Sequence, residues 1–246
     1  MSLRFQNPHL TERLNTGAAC LGSPLTGSQA EQCLAYLGLL AHWNRRYNLT
    51  AITDPVAMVD GHLIDSFSIR PYLAGQRVLD VGSGAGLPGI PLAIVEPGRQ
   101  FVLLDGSIKK ARFLRQVQME LGLGNVEVVA ERAEVYRPTV RFDCITVRAV
   151  GALADLLACT SHLIARPGQW LLMKGRYPAV ELAALEGGPE SCQVIPLPAV
   201  PGLDKARHLV ILGTAPDVER GVPSLSPSVS RDYFNLSRAS RRSGDS

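Results

Sequence analysis

The sequence predicts an α/β protein: a mostly parallel seven-stranded sheet with one antiparallel edge strand, Rossmann-like in its winding, preceded by a small helical lobe. Two observations carry this. From Gln76 onward, seven short apolar or β-branched runs (RVLDV, QFVLLD, VEVVA, FDCITV, QWLLMK, CQVIP and HLVILG) alternate with helical segments, the pattern of βα units. The first of these runs opens directly into a glycine-rich turn and then a helix, Val78 to Gly89.

Residues 1–25 mix polar and small side chains without a clear period, so no element is assigned there. Gln32 to Tyr47 repeats apolar residues at helical spacing, with Leu34, Leu37, Leu40, Ala41 and Trp43 on one face. A second helical stretch follows Asp54-Pro55, an N-cap followed by a first-turn proline, and continues through Met58, His62 and Phe67. Residues 1–70 therefore read as the helical lobe and 71–213 as the sheet domain. Within the latter, Leu87 to Val95, Ile108 to Leu121, Ala152 to Ala165 and Ala179 to Leu185 serve as crossover helices. Only a loop, Pro196 to Asp204, separates the last two strands, so Cys192 to Ile195 and His208 to Leu212 should form an antiparallel hairpin at one edge. From Thr214 the chain is rich in Ser, Pro and Arg and lacks apolar periodicity, which predicts a disordered tail, 214–246; its five arginines face four acids.

Composition narrows the class. The chain has 246 residues, 46 % of them hydrophobic, enough for one full domain and a lobe. A net charge of +3 and a pI near 8.7 permit a polyanionic partner through a local basic patch. The five cysteines are odd in number and widely spaced, which supports neither a disulfide framework nor a C-x-x-C metal or redox site. No run reaches the length of a membrane span, and residues 1–20 lack the apolar block of a signal peptide. The expectation is a cytoplasmic protein with no membrane and no metal, and a monomer.

The loop Gly82-Ser83-Gly84-Ala85-Gly86-Leu87-Pro88-Gly89 lets the backbone turn sharply beside a ligand, at the N-terminus of the following helix. It also satisfies G-x-G-x-x-G, so a dinucleotide enzyme, an NAD-dependent oxidoreductase, is the rival reading. Asp80, at the strand end before Gly82, would repel pyrophosphate but suits a ligand bearing an ammonium and a sulfonium, such as S-adenosylmethionine. Asp105, at the end of QFVLLD, is placed to accept hydrogen bonds from ribose hydroxyls in either case.

The acceptor is approached by elimination. No Asn/Asp-Pro-Pro-aromatic motif is present to orient an exocyclic amine, and Cys144 lies in an apolar run that reads as core rather than as a nucleophile. An acceptor with a free lone pair, such as guanine N7, needs no base to remove a proton before attack. Basic clusters at Arg45-Arg46, at Lys109-Lys110 with Arg112 and Arg115, at Lys174 with Arg176, and at Lys205 with Arg207 would meet nucleic-acid phosphates if gathered on one face.

Taken together, Trp43-Asn44 with Tyr47-Asn48-Leu49-Thr50, His62-Leu63-Ile64-Asp65-Ser66, the loop Asp80 to Pro91, Phe113-Leu114-Arg115, Arg148-Ala149, Lys174-Gly175 and Arg207-His208-Leu209-Val210 resemble the RsmG family, also called GidB, from about Glu31 to Gly213. The resemblance implies a class I S-adenosylmethionine-dependent methyltransferase fold. It also implies methylation of N7 of a guanosine in the 530 loop of bacterial 16S rRNA, nucleotide 527, with the small ribosomal subunit as partner. By position, Gly82 and Leu87 would line the cofactor with Gly84 and Gly86, Asp105 would hold the ribose, and Ala133-Glu134 would flank the adenine. Arg148 falls at the strand-end arginine beside cofactor and acceptor and is the candidate catalytic residue; Lys174 and Arg207 would hold RNA phosphates or stabilise the edge of the site. His62 and Asp65 sit at signature positions, His62 as a link between lobe and core. Gly61 departs from the basic residue many members carry before that histidine. A non-catalytic RNA-binding assembly factor retaining this fold is the remaining alternative.

Overall fold

The computed structural model describes residue 5 and residues 7–148, 151–185, 189–200 and 206–214; the tail beyond 214 and the basic Lys205 lie outside the described residues. Helix α1, Pro8–Cys20, corrects the reading of residues 1–25. Asn7 caps it through the backbone N–H of His9, Pro8 opens its first turn, and Leu10, Leu14, Gly17 and Ala18 form a buried stripe. Small residues and a buried Arg13 on that stripe hide the apolar period. Helix α2, Gly27–Tyr47, starts earlier than the apolar repeat suggests, because Thr26 and Gln29 form a capping box. After Asp54, a second helical run comprises α3 (Pro55–Met58), a π-wound turn (Val59–Ile64) and α4 (Asp65–Phe67). A buried Arg13–Asp60 ion pair, with nitrogen–oxygen distances of 2.8 and 2.6 Å, ties α1 to the π turn.

The sheet strands are β1 (Arg77–Val81), β2 (Gln100–Leu104), β3 (Val126–Val129), β4 (Phe142–Arg148), β5 (Ile164–Lys174), β6 (Ser191–Pro196) and β7 (His208–Gly213), in the order β3-β2-β1-β4-β5-β7-β6. Strands β1 to β5 pair in parallel, while β7 runs antiparallel to both neighbours, so the antiparallel pair stands at one edge with its reversed strand next to last. The crossovers are α5 (Gly89–Val95), α6 (Ile108–Glu120), α7 (Leu153–Thr160) and α8 (Ala179–Ala183). Helix α7 is shorter than its sequence segment because Ile164 and Ala165 enter β5, where Ile164 pairs with Phe142 before a register shift.

The lobe docks on the α5/α6 face. Gln29 Nε2 donates to the Ile94 carbonyl at the end of α5, and Gln32 Nε2 to the Leu121 carbonyl at the end of α6. Further along α2, Tyr36 Oη donates to Ala85 O ahead of α5, and the Trp43 ring lies 5.6 Å from that of Phe113. Helix α2 therefore runs antiparallel to α5 and α6, and its C-terminal end points to the carboxyl edge of the sheet.

Candidate active site

Strand register builds the site. Val81 pairs with Leu104 on one side and with Val147 on the other, so Gly82, Asp105 and Arg148, each the next residue along, stand at one level on the carboxyl edge. The strand order reverses between β2-β1 and β4-β5, and the crevice at such a switch point is where open α/β sheets bind ligands.

The glycine turn takes the left-handed conformation at Gly82 (φ 67°), Gly84 (φ 58°) and Gly86 (φ 89°). At Gly86 a Cβ would meet Ile90 Cγ1 at 2.6 Å and Leu114 Cδ2 at 3.0 Å, so this glycine serves packing. At Gly84 a Cβ would meet only Gly82 O, at 3.6 Å; that position opens a cradle beside the backbone. Asp105, buried, accepts from Gly84 N–H at 2.9 Å through Oδ2 and from Ser107 N–H at 2.8 Å through Oδ1. Lys110 Nζ stands 3.5 Å from Oδ2. A carboxylate has about four acceptor positions, which leaves capacity for a diol. Gly106 backs against Arg132, where a Cβ would meet Cγ at 3.1 Å; Ala133, buried, and Glu134, exposed, follow Arg132 in the chain. Leu87 is buried, packed with the core. An open glycine cradle and a diol acceptor suit the nucleoside half of S-adenosylmethionine.

Asp80 requires a correction. Its carboxyl does not face the crevice: the residue is 0 % exposed, Oδ1 accepts from Thr146 Oγ1 at 3.0 Å and Oδ2 from Gly89 N–H at 3.2 Å. Burial pushes its pKa up to about 6. Asp80 therefore anchors the start of α5 and the glycine turn to the sheet, with its carboxyl held by Thr146 and Gly89 rather than open to the crevice.

Arg148 meets the lobe. Its Nη1 donates to Asp65 Oδ2 at 3.1 Å, and Nη2 lies 3.5 Å from His62 Nδ1. Arg207 donates to Asp65 Oδ1 and to the Pro198 carbonyl. One buried carboxylate thus holds two arginines, one at the end of β4 and one just before β7. His62 is almost fully buried, and burial together with the Arg148 charge holds its pKa down at about 4, so the ring is neutral. A guanidinium is donor-only, so Nδ1 is the acceptor and Nε2–H donates to Thr50 Oγ1 at 2.9 Å. Asn44 clamps Thr50 in turn, through Thr50 N–H and O, both at 2.9 Å.

The other basic residues separate. Lys174 Nζ is bound by the Gly151 carbonyl at 2.9 Å and by Glu181 at 2.8 Å, so it secures the edge of the sheet domain rather than facing solvent as a phosphate ligand. Arg207 is likewise committed to Asp65. Arg45 and Arg46 are exposed at the end of α2. Sequence reading passed over Tyr36 and Thr146. A tyrosine on the apolar face of α2 was the available signal, since a buried hydroxyl needs a partner.

The register-built crevice, glycine cradle and ribose-type acceptor define a Rossmann-like site for an adenosine-bearing cofactor, and the family match that follows makes it a class I methyltransferase. Solved structures with this architecture include an S-adenosylmethionine-dependent methyltransferase from Aquifex aeolicus (TM-score 0.51, 17 % identity, covering 68 % of this chain and 97 % of that one). Another is the O-methyltransferase TomG from Streptomyces achromogenes, solved with S-adenosylmethionine (TM-score 0.51, 17 % identity, covering 73 % and 90 %). Residues 29–210 match the family described as rRNA small subunit methyltransferase G (GidB), and the chain belongs to that family. Relatives named ribosomal RNA small subunit methyltransferase G include one from Nitrosococcus oceani, 52 % identical over 199 residues, 81 % of this chain and 92 % of that protein. One from Chromobacterium violaceum is 51 % identical over 201 residues, 81 % and 96 %. This membership sets aside the oxidoreductase and non-catalytic alternatives. Among the described residues, no helix is long and apolar enough to cross a membrane.

Proposed function

We propose that this enzyme transfers the methyl group of S-adenosylmethionine to N7 of a guanosine in the 530 loop of bacterial 16S rRNA, nucleotide 527, acting as a cytoplasmic monomer on the small-subunit RNA. The observation that carries the reading is the common level of Gly82, Asp105 and Arg148 at the carboxyl edge, in a chain of the rRNA small subunit methyltransferase G family. Gly82, Gly84 and Leu87 would hold the donor along the turn, Asp105 its ribose, and Ala133 with Glu134 its adenine. Bound there, S-adenosylmethionine supplies an electrophilic methyl group on a sulfonium.

The protein's part is positional. Guanine N7 carries an in-plane lone pair and no proton, so no side chain has to remove one. His62, the histidine of the site, is a poor base at a pKa of about 4, and its ring is spent on Arg148 and Thr50. Cys144 is fully buried in β4, its thiol pushed up to about 11, which disfavours covalent attack on a pyrimidine. What remains is the alignment of an extruded base by Arg148, itself oriented by Asp65.

The test is chemical. Purified protein, S-adenosylmethionine and small-subunit RNA lacking the modification are incubated, naked or as intact subunits, and N7-methylguanosine is mapped by aniline-induced scission. A single new cut in the 530 loop is expected. Methyl transfer to another atom or another loop overturns the assignment.

A further inference from the structure

The C-terminal turn of α2 carries a surface that the methyl-transfer site does not use. Three rings rise there in sequence: Phe113, fully buried; Trp43, half-buried, 5.6 Å from it; and Tyr47, 41 % exposed, 5.1 Å from Trp43 with ring planes 30° apart. The outermost ring is backed by its neighbour and presents itself to solvent. The backbone beneath it is braced. Asn48 closes the helix in the left-handed conformation (φ 49°), and the Asn44 side chain clamps Thr50 just beyond. Arg46 and Arg45, the latter with Nη2 resting 2.7 Å from the Nδ1 of the exposed His42, stand exposed in the same turn, beside an open groove of about 760 Å³ that Trp43, Tyr47, Gln116 and Glu120 help to line. Glu120 is bonded by Gln116 Nε2 at the α6 side of that groove.

Location gives this surface its meaning. Helix α2 ends on the carboxyl edge of the sheet, and the chain of contacts Asn44–Thr50–His62–Arg148 leads from this turn to the crevice. Cations in the last turn of a helix also favour its dipole, and that accounts for two arginines there. It does not account for a large aromatic ring left exposed in the same turn. A braced, exposed ring flanked by arginines is the arrangement that binds single-stranded nucleic acid, with the ring stacking on a base and the cations meeting phosphates.

We infer that Tyr47 is a stacking platform for an unpaired base of the rRNA loop, with Arg45 and Arg46 holding the adjoining phosphates. The inference rests on the rRNA reading above and extends it to a second point of RNA contact. A base held there fixes the loop relative to the crevice while the target guanosine is extruded.

The experiment measures affinity directly, apart from catalysis. Binding of a fluorescent RNA hairpin with the 530-loop sequence to the full chain is followed by anisotropy, and S-adenosylmethionine affinity by calorimetry. Tyr47→Ala is expected to weaken hairpin binding about tenfold, with donor affinity unchanged. Tyr47→Phe should restore it, because stacking uses the ring and not the hydroxyl. Replacing both Arg45 and Arg46 by Ala should flatten the slope of log affinity against log salt by about 1.4, at roughly 0.7 per phosphate of single strand. Should Tyr47→Ala fail to fold, photocrosslinking of a 4-thiouridine hairpin to the wild-type chain decides, with adducts expected within residues 43–48. Unchanged hairpin affinity in Tyr47→Ala, or adducts only elsewhere, overturns the inference. So does weakened binding of intact subunits alone, which marks the surface as a protein contact. Tyr47-dependent hairpin binding without methylation of any subunit RNA would sink the proposed reaction and leave the platform standing.

Discussion

Replacing Asp65 by Asn removes the one carboxylate that holds Arg148 and Arg207 together. Asp65 Oδ2 lies 3.1 Å from Arg148, Oδ1 accepts from Arg207, and the arginine side chains are 21 % and 12 % exposed. Asparagine offers a single acceptor oxygen and turns an N–H₂ toward a guanidinium. Breaking a fully buried pair costs about 3–5 kcal/mol, and partial hydration of the arginines lowers the expectation to about 2–3 kcal/mol. The larger effect falls on chemistry. Arg148 loses its fixed rotamer, and a misplacement on the order of 1 Å costs about 100-fold in kcat. Asp65 touches neither the glycine turn nor Asp105, so KM for S-adenosylmethionine should stay within about threefold, by the same geometry. Radiolabelled methyl transfer to subunits and urea unfolding measure both. A double-mutant cycle with Arg207→Met adds a check: in the Asp65→Asn background, removing Arg207 relieves repulsion between two cations, giving non-additivity of at least about 1 kcal/mol. Unchanged kcat together with additive stabilities would refute Asp65 as the positioning residue.

Gly84→Ala and Gly86→Ala should separate binding from folding. Gly84→Ala meets nothing nearer than Gly82 O at 3.6 Å and costs only about 1–2 kcal/mol of left-handed strain, while weakening donor affinity, whereas Gly86→Ala drives a methyl into Ile90 and should cost more than 2 kcal/mol; equal losses in thermal melts would contradict this. Tyr36→Phe leaves the Ala85 carbonyl without its 2.7 Å donor and should cost about 1–3 kcal/mol, with a several-fold loss of donor affinity by calorimetry, because that carbonyl lies within the glycine turn. The pH dependence contains two opposed slopes. His62 titrates near 4 in the fold against about 6.5 unfolded, so the unfolded chain binds more protons and stability rises with pH over that window, fully present above 6.5. Asp80 titrates near 6 against 3.8, so the fold binds more protons and stability falls as pH rises from 3.8 to 6. His62→Gln removes the first slope alone, and its stability deficit should be on the order of 2 kcal/mol smaller at pH 4.5 than at pH 7; urea midpoints showing a deficit independent of pH would exclude the neutral histidine.

The sheet was legible because each strand is a short apolar run closed by a turn signal, and parallel strands buried on both faces need little more. Helix α1 was not, because Gly17, Ala18 and a buried Arg13 occupy positions where an apolar repeat would carry larger aliphatic residues. Its signal was the cap, Asn7 followed by Pro8, which works without hydrophobic periodicity. Arg148, Asp105 and the glycines could be placed from strand ends. The pairing of Arg207 with Asp65 could not, since the two are 142 positions apart and meet only when the antiparallel pair closes the sheet. Lys174 is committed more locally, to Glu181 on the helix that follows β5 seven positions on, a partner that a count of basic residues does not supply.

Asp80 shows how much a strand's parity decides. Side chains alternate along β1, so Val78 and Asp80 share one face and Leu79 and Val81 the other. Val78 packs in the core that α5 and the lobe close, with Phe101 and Leu103, while Leu79 and Val81 pack with Val102, Leu104 and Val147 on the opposite side. An acid at position 80 is thereby directed under α5, where Thr146, its register partner on β4, and the first amide of that helix are the available donors. Gly89 confirms the constraint from the other side, since a Cβ there would lie 2.7 Å from Asp80 Oδ2 and 2.4 Å from Leu103 Cδ2. Proximity to the glycine turn in sequence suggested a ligand for Asp80, whereas the two-residue period assigns it to the scaffold. Asp105 escapes that fate because it stands beyond the last paired residue of β2, where the backbone is turning and the carboxylate reaches over the turn to Gly84. One acid therefore holds the glycine turn from beneath and the other from the crevice side. Only the second keeps acceptor capacity for a ribose.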